Sequence, residues 1–431
     1  MREAAQSRQW HNRGLAPSRA RLQTLTTTLL APLAQPAVAG LVALIVYLVR
    51  ARFGAAGWEQ TRYAYFNWLA EAFLHRQLHL LVDLPETRDL IANAGRLYLY
   101  WPPFPAVLLM PIVALFGVGV SDIIYTAIIG AGTVALVAWL LALLDRHGVA
   151  PLDPSRRAIL TLTMAFGSVQ LILAPVGTVW FTAQLIGWGC VLLAANAAVG
   201  VRGPLGYLLI GVALACATGT RNALLFNGLW IAFYLLRRDW DRPWRWRLGA
   251  IAAGVAPVGV ALILLGWYNA ARFGNPLEMG LLWHNMSDLF AGNFGQYGIF
   301  NLHYLPTNFR YQFLAYTVFS DERWQGGGIF WMTPVLLGAF GGIWRGRRDS
   351  LTWALLASCV LIYIPIGLLL GSGYLTFGPR YLLDLMVPIL ILTARGITRW
   401  PLWLLLVLLA ISVLTYTYGS ALWLDLTYAV Q

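Results

Sequence analysis

Residues 104–117 read FPAVLLMPIVALFG, an apolar run entered through Pro102-Pro103 and closed by Gly117. Its reading decides the fold, because every crossing of a membrane reverses the side on which all later loops fall. Immediately before it lies a polar insertion, WEQTRYAYFNWLAEAFLHRQLHLLVDLPETRDLIANAGRLYLYWPPFP, from Trp58 to Pro105. That stretch carries Glu59, Glu71, Asp83, Glu86 and Asp89 between two apolar segments, more acid than a simple connection needs.

Working outward, the chain has 431 residues, 59% of them hydrophobic and 11% charged, with a mean hydropathy of +0.65. These values mark an integral membrane protein. Apolar runs recur near 35–51, 121–143, 157–177, 181–200, 204–220, 223–237, 248–268, 328–344, 352–371, 381–395 and 400–419. Most have the roughly 17–25 residues that carry a helix across a hydrocarbon core of about 30 Å. The sequence therefore predicts an all-α, polytopic transmembrane fold of about 11 helices, in preference to a barrel of short alternating strands.

The arginines, which make up all 30 basic residues, settle the run at 104–117. With Arg2, Arg8, Arg13, Arg19 and Arg21 inside, the clusters Arg146/Arg156/Arg157, Arg202, Arg237/Arg238/Arg242/Arg245/Arg247, Arg345/Arg347/Arg348 and Arg395/Arg399 fall inside too, as positive-inside bias requires. Counting 104–117 as a crossing would export those clusters. The run is therefore expected to lie as a helix in the outer interface, roofing a first outer loop of residues 52–120. A second outer loop covers 269–327 and a short third one 372–380, all rich in Tyr, Trp, Asn, Gly and acids. Residues 1–34 form a cytoplasmic N-terminal tail and 35–431 a single transmembrane domain, and no cleavable signal is expected in the polar first 30 residues.

Composition also limits function. A net charge of +12 suggests nucleic acid, but the basic residues form short clusters between spans, so no nucleic-acid partner is expected. Cys190, Cys216 and Cys359 lie in apolar spans without metal-ligand spacing, and read as small apolar side chains. His75 and His79 have the i, i+4 spacing of a zinc pair but no HExxH and no third ligand; the P-loop, dinucleotide and GxSxG motifs are absent.

Chemistry concentrates in the outer segments. Glu59 directly follows the first span, where a carboxylate suits a general base or metal ligand; a solvated surface glutamate is the plain alternative. Apolar residues at helical spacing through Phe66, Leu69 and Phe73 predict an interfacial helix after it. Asp83, Glu86 and Asp89 form either a second acidic group or a charged turn with Arg88 and Arg96. Asp89 stands out because the following Asn-Ala-Gly turn folds it back toward the loop. Arg221, at an outer helix end, suits a phosphate by its planar fork, or snorkels to lipid head groups. Arg272 and Glu278 either pair with one another or contact substrate. Arg380, beside a helix start at Pro379, favours an anion, with Asp384 as a possible i+4 partner.

At these residues the chain resembles the GT-C superfamily of polytopic glycosyltransferases, in the bacterial branch of protein mannosyltransferase, aminoarabinose transferase and Rgt-type enzymes. Glu59-Gln-Thr-Arg-Tyr63 is similar to that family's acidic DE-x-x-Y position, with Glu59 where aspartate is usual and neutral Gln60 after it. Gly95-Arg-Leu-Tyr98-Leu-Tyr-Trp-Pro-Pro-Phe-Pro105, with Leu115-Phe-Gly117, resembles its G-x-x-Y…PP…LFG block. Tyr268-Asn…Arg272-Phe-Gly…Pro276-Leu-Glu278 and Phe377-Gly-Pro-Arg380-Tyr381 resemble two further blocks.

The resemblance implies a hexosyl- or pentosyltransferase in the bacterial plasma (inner) membrane, taking a sugar from a polyprenyl-phosphate-linked donor to a hydroxyl of a cell-envelope glycan, lipid or protein at the extracytoplasmic face. On this reading Glu59, Asp83 and Asp89 are the catalytic candidates, with Glu59 and Asp89 also candidates for a divalent metal such as Mg or Mn. Arg221, Arg272 and Arg380 contact the donor phosphate, and Tyr63, Tyr98, Glu278 and Tyr381 the substrates. Two alternatives stay open, a non-catalytic relative that binds polyprenyl lipid and a lipid or sugar transporter. A transporter would show inverted repeats and charges near the bilayer middle.

Overall fold

The computed structural model describes residues 29–54, 56–87, 89–285, 288–372 and 376–429. Most of the expected N-terminal tail and Arg88 lie outside the described residues. Every apolar run named above is helical. Among the described residues, six helices are long and apolar enough to cross a membrane: Asp122–Arg146, Thr178–Gly200, Trp244–Phe273, Ser350–Leu368, Arg380–Arg399 and Leu402–Leu422. The count of full-length spans falls below eleven because several runs are short or broken. The run at 157–177 breaks at Gly167 between Pro154–Phe166 and Gln170–Leu173, and that at 328–344 divides into Ile329–Met332, Pro334–Leu337 and Gly338–Arg345.

Local chemistry places the ends. Ser121 caps Asp122–Arg146 by accepting the Ile124 N–H at 3.2 Å, and Asp153 with Pro154 starts the next helix by accepting that of Arg156 at 3.0 Å. Thr178–Gly200 and Arg380–Arg399 are the most enclosed of the long helices, whereas Trp244–Phe273 stays peripheral and packs mainly against Pro204–Thr218. Close approach without side chains joins Gly338–Arg345 to Met386–Gly396. A Cβ at Gly342 would fall 1.9 Å from the Leu392 carbonyl oxygen and one at Gly396 1.7 Å from that of Gly338, the small-residue contact expected between membrane helices.

The helix ends sort onto two faces. On one, Arg156 donates to Trp400 O at 2.7 Å, Arg345 to Gly396 O at 2.8 Å, and Arg395 to Asp349 at 2.6 Å. This arginine face gathers the basic clusters. The opposite loop face holds residues 58–120. Helix Phe104–Phe116 begins there, its Phe104 N–H donating to Gly219 O at 2.9 Å, and ends there, where Asn67 reaches Val118 O at 3.0 Å. It packs on helix Tyr65–Leu74, which forms where the interfacial helix was expected.

Asp349 ties the arginine face by pairing with both Arg237 and Arg395. Burial raises its carboxyl, but the hydrogen bonds from Arg395 and Arg237 outweigh that and hold the pKa below its ordinary value. Its stabilisation is therefore complete above the unfolded-state pKa of about 4 and is lost as pH falls through the folded value. Asp349→Asn is expected to cost the full chain about 1–2 kcal/mol at neutral pH, measured by thermal unfolding in detergent. The deficit should close below about pH 4, and an unchanged deficit there would show that charge is not how Asp349 acts.

Candidate functional site

The site starts from a hairpin on the loop face. Strands β1 (Leu90–Asn93) and β2 (Arg96–Leu99) pair antiparallel, with Leu90 opposite Leu99. Ala94 and Gly95 both take positive φ, as a tight hairpin turn demands. The hairpin sets Asp89 at one strand's entry and Tyr100-Trp101 at the other's exit. Asp89 itself has φ +61°, a left-handed backbone that Asp tolerates better than most residues and that costs of order 1–3 kcal/mol.

The Asp89 carboxylate is held from two sides. Trp180, in the first turn of Thr178–Gly200, donates its indole N–H to Oδ2 at 2.7 Å. His284 Nε2 lies 3.0 Å from Oδ1, at ion-pair distance but without the alignment of a hydrogen bond, and its Nδ1 is buried without a partner among the described residues. An isolated bridge between Ile91 and His284 fastens the second long loop to the hairpin. The Tyr100 ring stands 4.8 Å from that of His284. Burial and the Asp89 and Tyr381 neighbours push the Tyr100 phenol well above its ordinary pKa, against the pull of Arg380 and Arg221, so it stays protonated as a donor.

The two arginines differ in what balances them. Arg221 donates from Nε at 3.0 Å and from Nη2 at 2.8 Å to one oxygen of Asp384 and lies over the rings of Trp101 and Tyr381. Burial works against its cation, but Asp384 and the phenols outweigh that and raise its pKa. Asp384 was expected to pair with Arg380 one turn away; it pairs with Arg221 instead, because Arg380–Leu385 is a tight 3₁₀ segment and Asp384 is fully buried against the Arg221 junction. Arg380 is left with aromatic contacts, 4.9 Å from the Tyr381 ring centre and 5.6 Å from that of Phe181. Its guanidinium has no hydrogen bond or ion pair among the described residues, and its Nε is buried. A cation held this way, beside a second cation and a phenol donor, is prepared for an anion.

No family model and no curated protein matches the chain. Among solved structures the fold is similar to that of ArnT from Cupriavidus metallidurans bound to undecaprenyl phosphate, at 15% identity and a TM-score of 0.48, over 84% of this chain and 59% of that one. It is also similar to the oligosaccharyltransferase of Archaeoglobus fulgidus in its apo form, at 13% identity and a TM-score of 0.42, over 90% of this chain and 56% of that one. The AglB complex from that organism with an inhibitory peptide and a dolichol-phosphate gives 12% identity and 0.41, over 89% and 55%. These are likenesses of fold, and the chain spans between 55% and 59% of the length of those proteins.

Several sequence expectations move. Arg272 was expected at a phosphate or on Glu278; it is buried and does not pair with Glu278. It donates to Tyr268 O at 3.2 Å, Leu99 O at 2.7 Å and Asn269 Oδ1 at 2.9 Å, with Tyr268 and Phe273 against its plane. It braces the hairpin. Glu278 accepts the Gly280 N–H at 2.7 Å. Tyr98 packs on Phe273 and His79, while Tyr63 lies on Trp180 at 4.8 Å between ring centres. Tyr381 sits beneath both arginines. Asp83 is exposed. Glu59 is exposed too, and its carboxylate has no hydrogen bond or ion pair among the described residues; its backbone carbonyl accepts from Ser121.

The acid buried behind that segment is Asp122, which sequence reading passed over. It accepts from Thr61 N at 2.8 Å, Thr61 Oγ1 at 2.5 Å and Thr178 N at 2.8 Å, so it fastens the Glu59–Tyr63 segment to the helix that carries Trp180. A lone acid opening a long apolar run was its only signal. The residues do not compose a metal site: among those described, no three of His, Cys, Asp and Glu converge, and the Asp89 carboxylate is already engaged by Trp180 and His284.

Proposed function

We propose that the chain transfers a sugar from a polyprenyl-phosphate-linked donor to a hydroxyl acceptor at the extracytoplasmic face, where the loop face would lie. The observation that carries this reading is Arg380, a cation without a counter-charge among the described residues, set in the same field as Arg221, Tyr100 and the Asp89 carboxylate. Phosphate and nucleophile chemistry meet there. In the reaction Asp89 takes the proton of the acceptor hydroxyl while its oxygen bonds to the sugar's anomeric carbon. The bond from that carbon to the phosphate oxygen breaks, and its electron pair leaves on polyprenyl phosphate, which Arg380 stabilises with help from the Tyr100 O–H. Trp180 and His284 keep the carboxylate in place.

The test is incubation of the purified full chain, in lipid nanodiscs, with polyprenyl-phosphate-linked sugars labelled in the sugar. Release of polyprenyl phosphate together with labelled acceptor is the expected result. Binding without release would favour the non-catalytic alternative, and movement of intact donor across proteoliposomes the transporter. In the same assay Glu59→Gln is expected to change transfer by no more than about twofold, as an exposed carboxylate without contacts should. A loss as large as that of an Asp89 substitution would return the base to Glu59.

A further inference from the structure

One pocket is lined by none of these charged residues. It has a volume of about 320 Å³, near the lower bound for small-ligand sites, is open to solvent on one side, and is lined by helix Asp288–Tyr297, the 303–311 segment, Gln325 and residues 370–372. Among the described residues its lining holds no arginine, aspartate or glutamate. An anion there would meet no arginine among the described residues.

Its polar groups are of another kind. The side chains of Asn293 and Thr307, both exposed, and of half-buried Gln325 line the pocket, and none has a hydrogen-bond partner among the described residues, so all three are open to a ligand. Each amide offers both donors and an acceptor. Beside them stand the rings of Tyr304 and His303, which pack at 5.5 Å. The Tyr304 hydroxyl is already spent on Gly298 O at 2.8 Å and Asn293 O at 3.1 Å and its ring is largely buried, so the exposed His303 ring is the aromatic surface on offer. Unspent amides and a hydroxyl next to aromatic faces match a ligand with many hydroxyls and an apolar ring face.

The cavity is tied to the arginine site by backbone. Gln325 begins β3 (Gln325–Gly326), which pairs in parallel with β4 (Thr376–Phe377), with Gln325 opposite Thr376. β4 runs directly into Gly378-Pro379-Arg380, and Gly378 N–H donates to Gly326 O at 3.2 Å. We infer that this cavity is a subsite for a neutral saccharide, so that the acceptor is a glycan. The acceptor role rests on the transferase reading; the saccharide binding does not.

Full-length protein in nanodiscs would be titrated with neutral methyl hexosides and with a glucuronide, followed by saturation-transfer NMR. At least one neutral hexoside is expected to bind with a Kd of about 1–10 mM and the glucuronide more weakly. Asn293→Leu and Gln325→Leu should each weaken binding by about tenfold, and Leu370→Trp, which fills the space, should abolish it. A melting temperature kept within error certifies the fold of each variant. Absence of hexoside binding up to about 100 mM, stronger binding of the glucuronide, or binding untouched by all three substitutions overturns the inference. Arg380→Ala is expected to leave hexoside binding unchanged, so failure of transfer alone would sink the transferase reading and spare the saccharide site.

Discussion

Asp89→Asn is expected to slow sugar transfer by about 10²–10⁴-fold, the usual contribution of a positioned general base, with the apparent affinity for donor little changed. Asparagine is the informative replacement. It keeps an oxygen for the Trp180 indole N–H, which donates at 2.7 Å, and it tolerates the left-handed backbone at φ +61° nearly as well as aspartate. What it removes is the capacity to accept a proton. Single-turnover transfer in nanodiscs, with polyprenyl phosphate binding measured alongside, separates the two effects. Unchanged turnover would take the base away from Asp89, and lost binding with lost stability would reduce it to a strut of the hairpin. The conservative change at His284, to asparagine, should lower kcat less, since it removes a neighbour 3.0 Å from Oδ1 but not the base.

How far the sequence showed this site depends on the range of the interaction. The helices were legible because hydrocarbon imposes length and composition on a spanning segment, and Asp89 was legible because the turn that folds it back is encoded five residues away, at Ala94-Gly95. The sidedness of the arginines led to the expectation that helix Phe104–Phe116 makes no crossing, and both its ends meet segments of the loop face. The ion pair was not legible. Arg221 and Asp384 lie 163 residues apart, and no local pattern indicates that an acid one turn from Arg380 serves another arginine. Arg272 failed for a related reason, since its motif fixes an arginine near Tyr268 but not the Leu99 carbonyl, 173 residues distant, that receives it. Tyr100 was hidden by Tyr98 because both sit in one aromatic run; only the hairpin register shows that Tyr98 lies within β2 against Phe273 while Tyr100 emerges past its end beside His284.

Arg380 and Asp384 should therefore fail in opposite ways when replaced. Arg380→Ala is expected to weaken polyprenyl phosphate binding by about 10- to 150-fold, the loss of one charge-assisted hydrogen bond at about 1.5–3 kcal/mol, and to leave thermal stability within error because no carboxylate in the described structure depends on it. Arg380→Lys should fall between, since it restores the charge but not the planar fork. Asp384→Leu is expected to do the reverse. It strands the Arg221 guanidinium, whose side chain is only 11% exposed, and removing one partner of a buried pair costs about 3–5 kcal/mol. Replacing both, Arg221→Met with Asp384→Leu, should recover much of that stability, because the cost lies in the uncompensated charge more than in the lost attraction. Equilibrium binding of labelled polyprenyl phosphate and melting curves on the same preparations give both readouts. If Arg380→Ala melts early with its affinity intact, the cation is structural and the phosphate must be sought at Arg221. If instead affinity alone falls, the pairing of Asp384 with Arg221 is what leaves Arg380 free to bind.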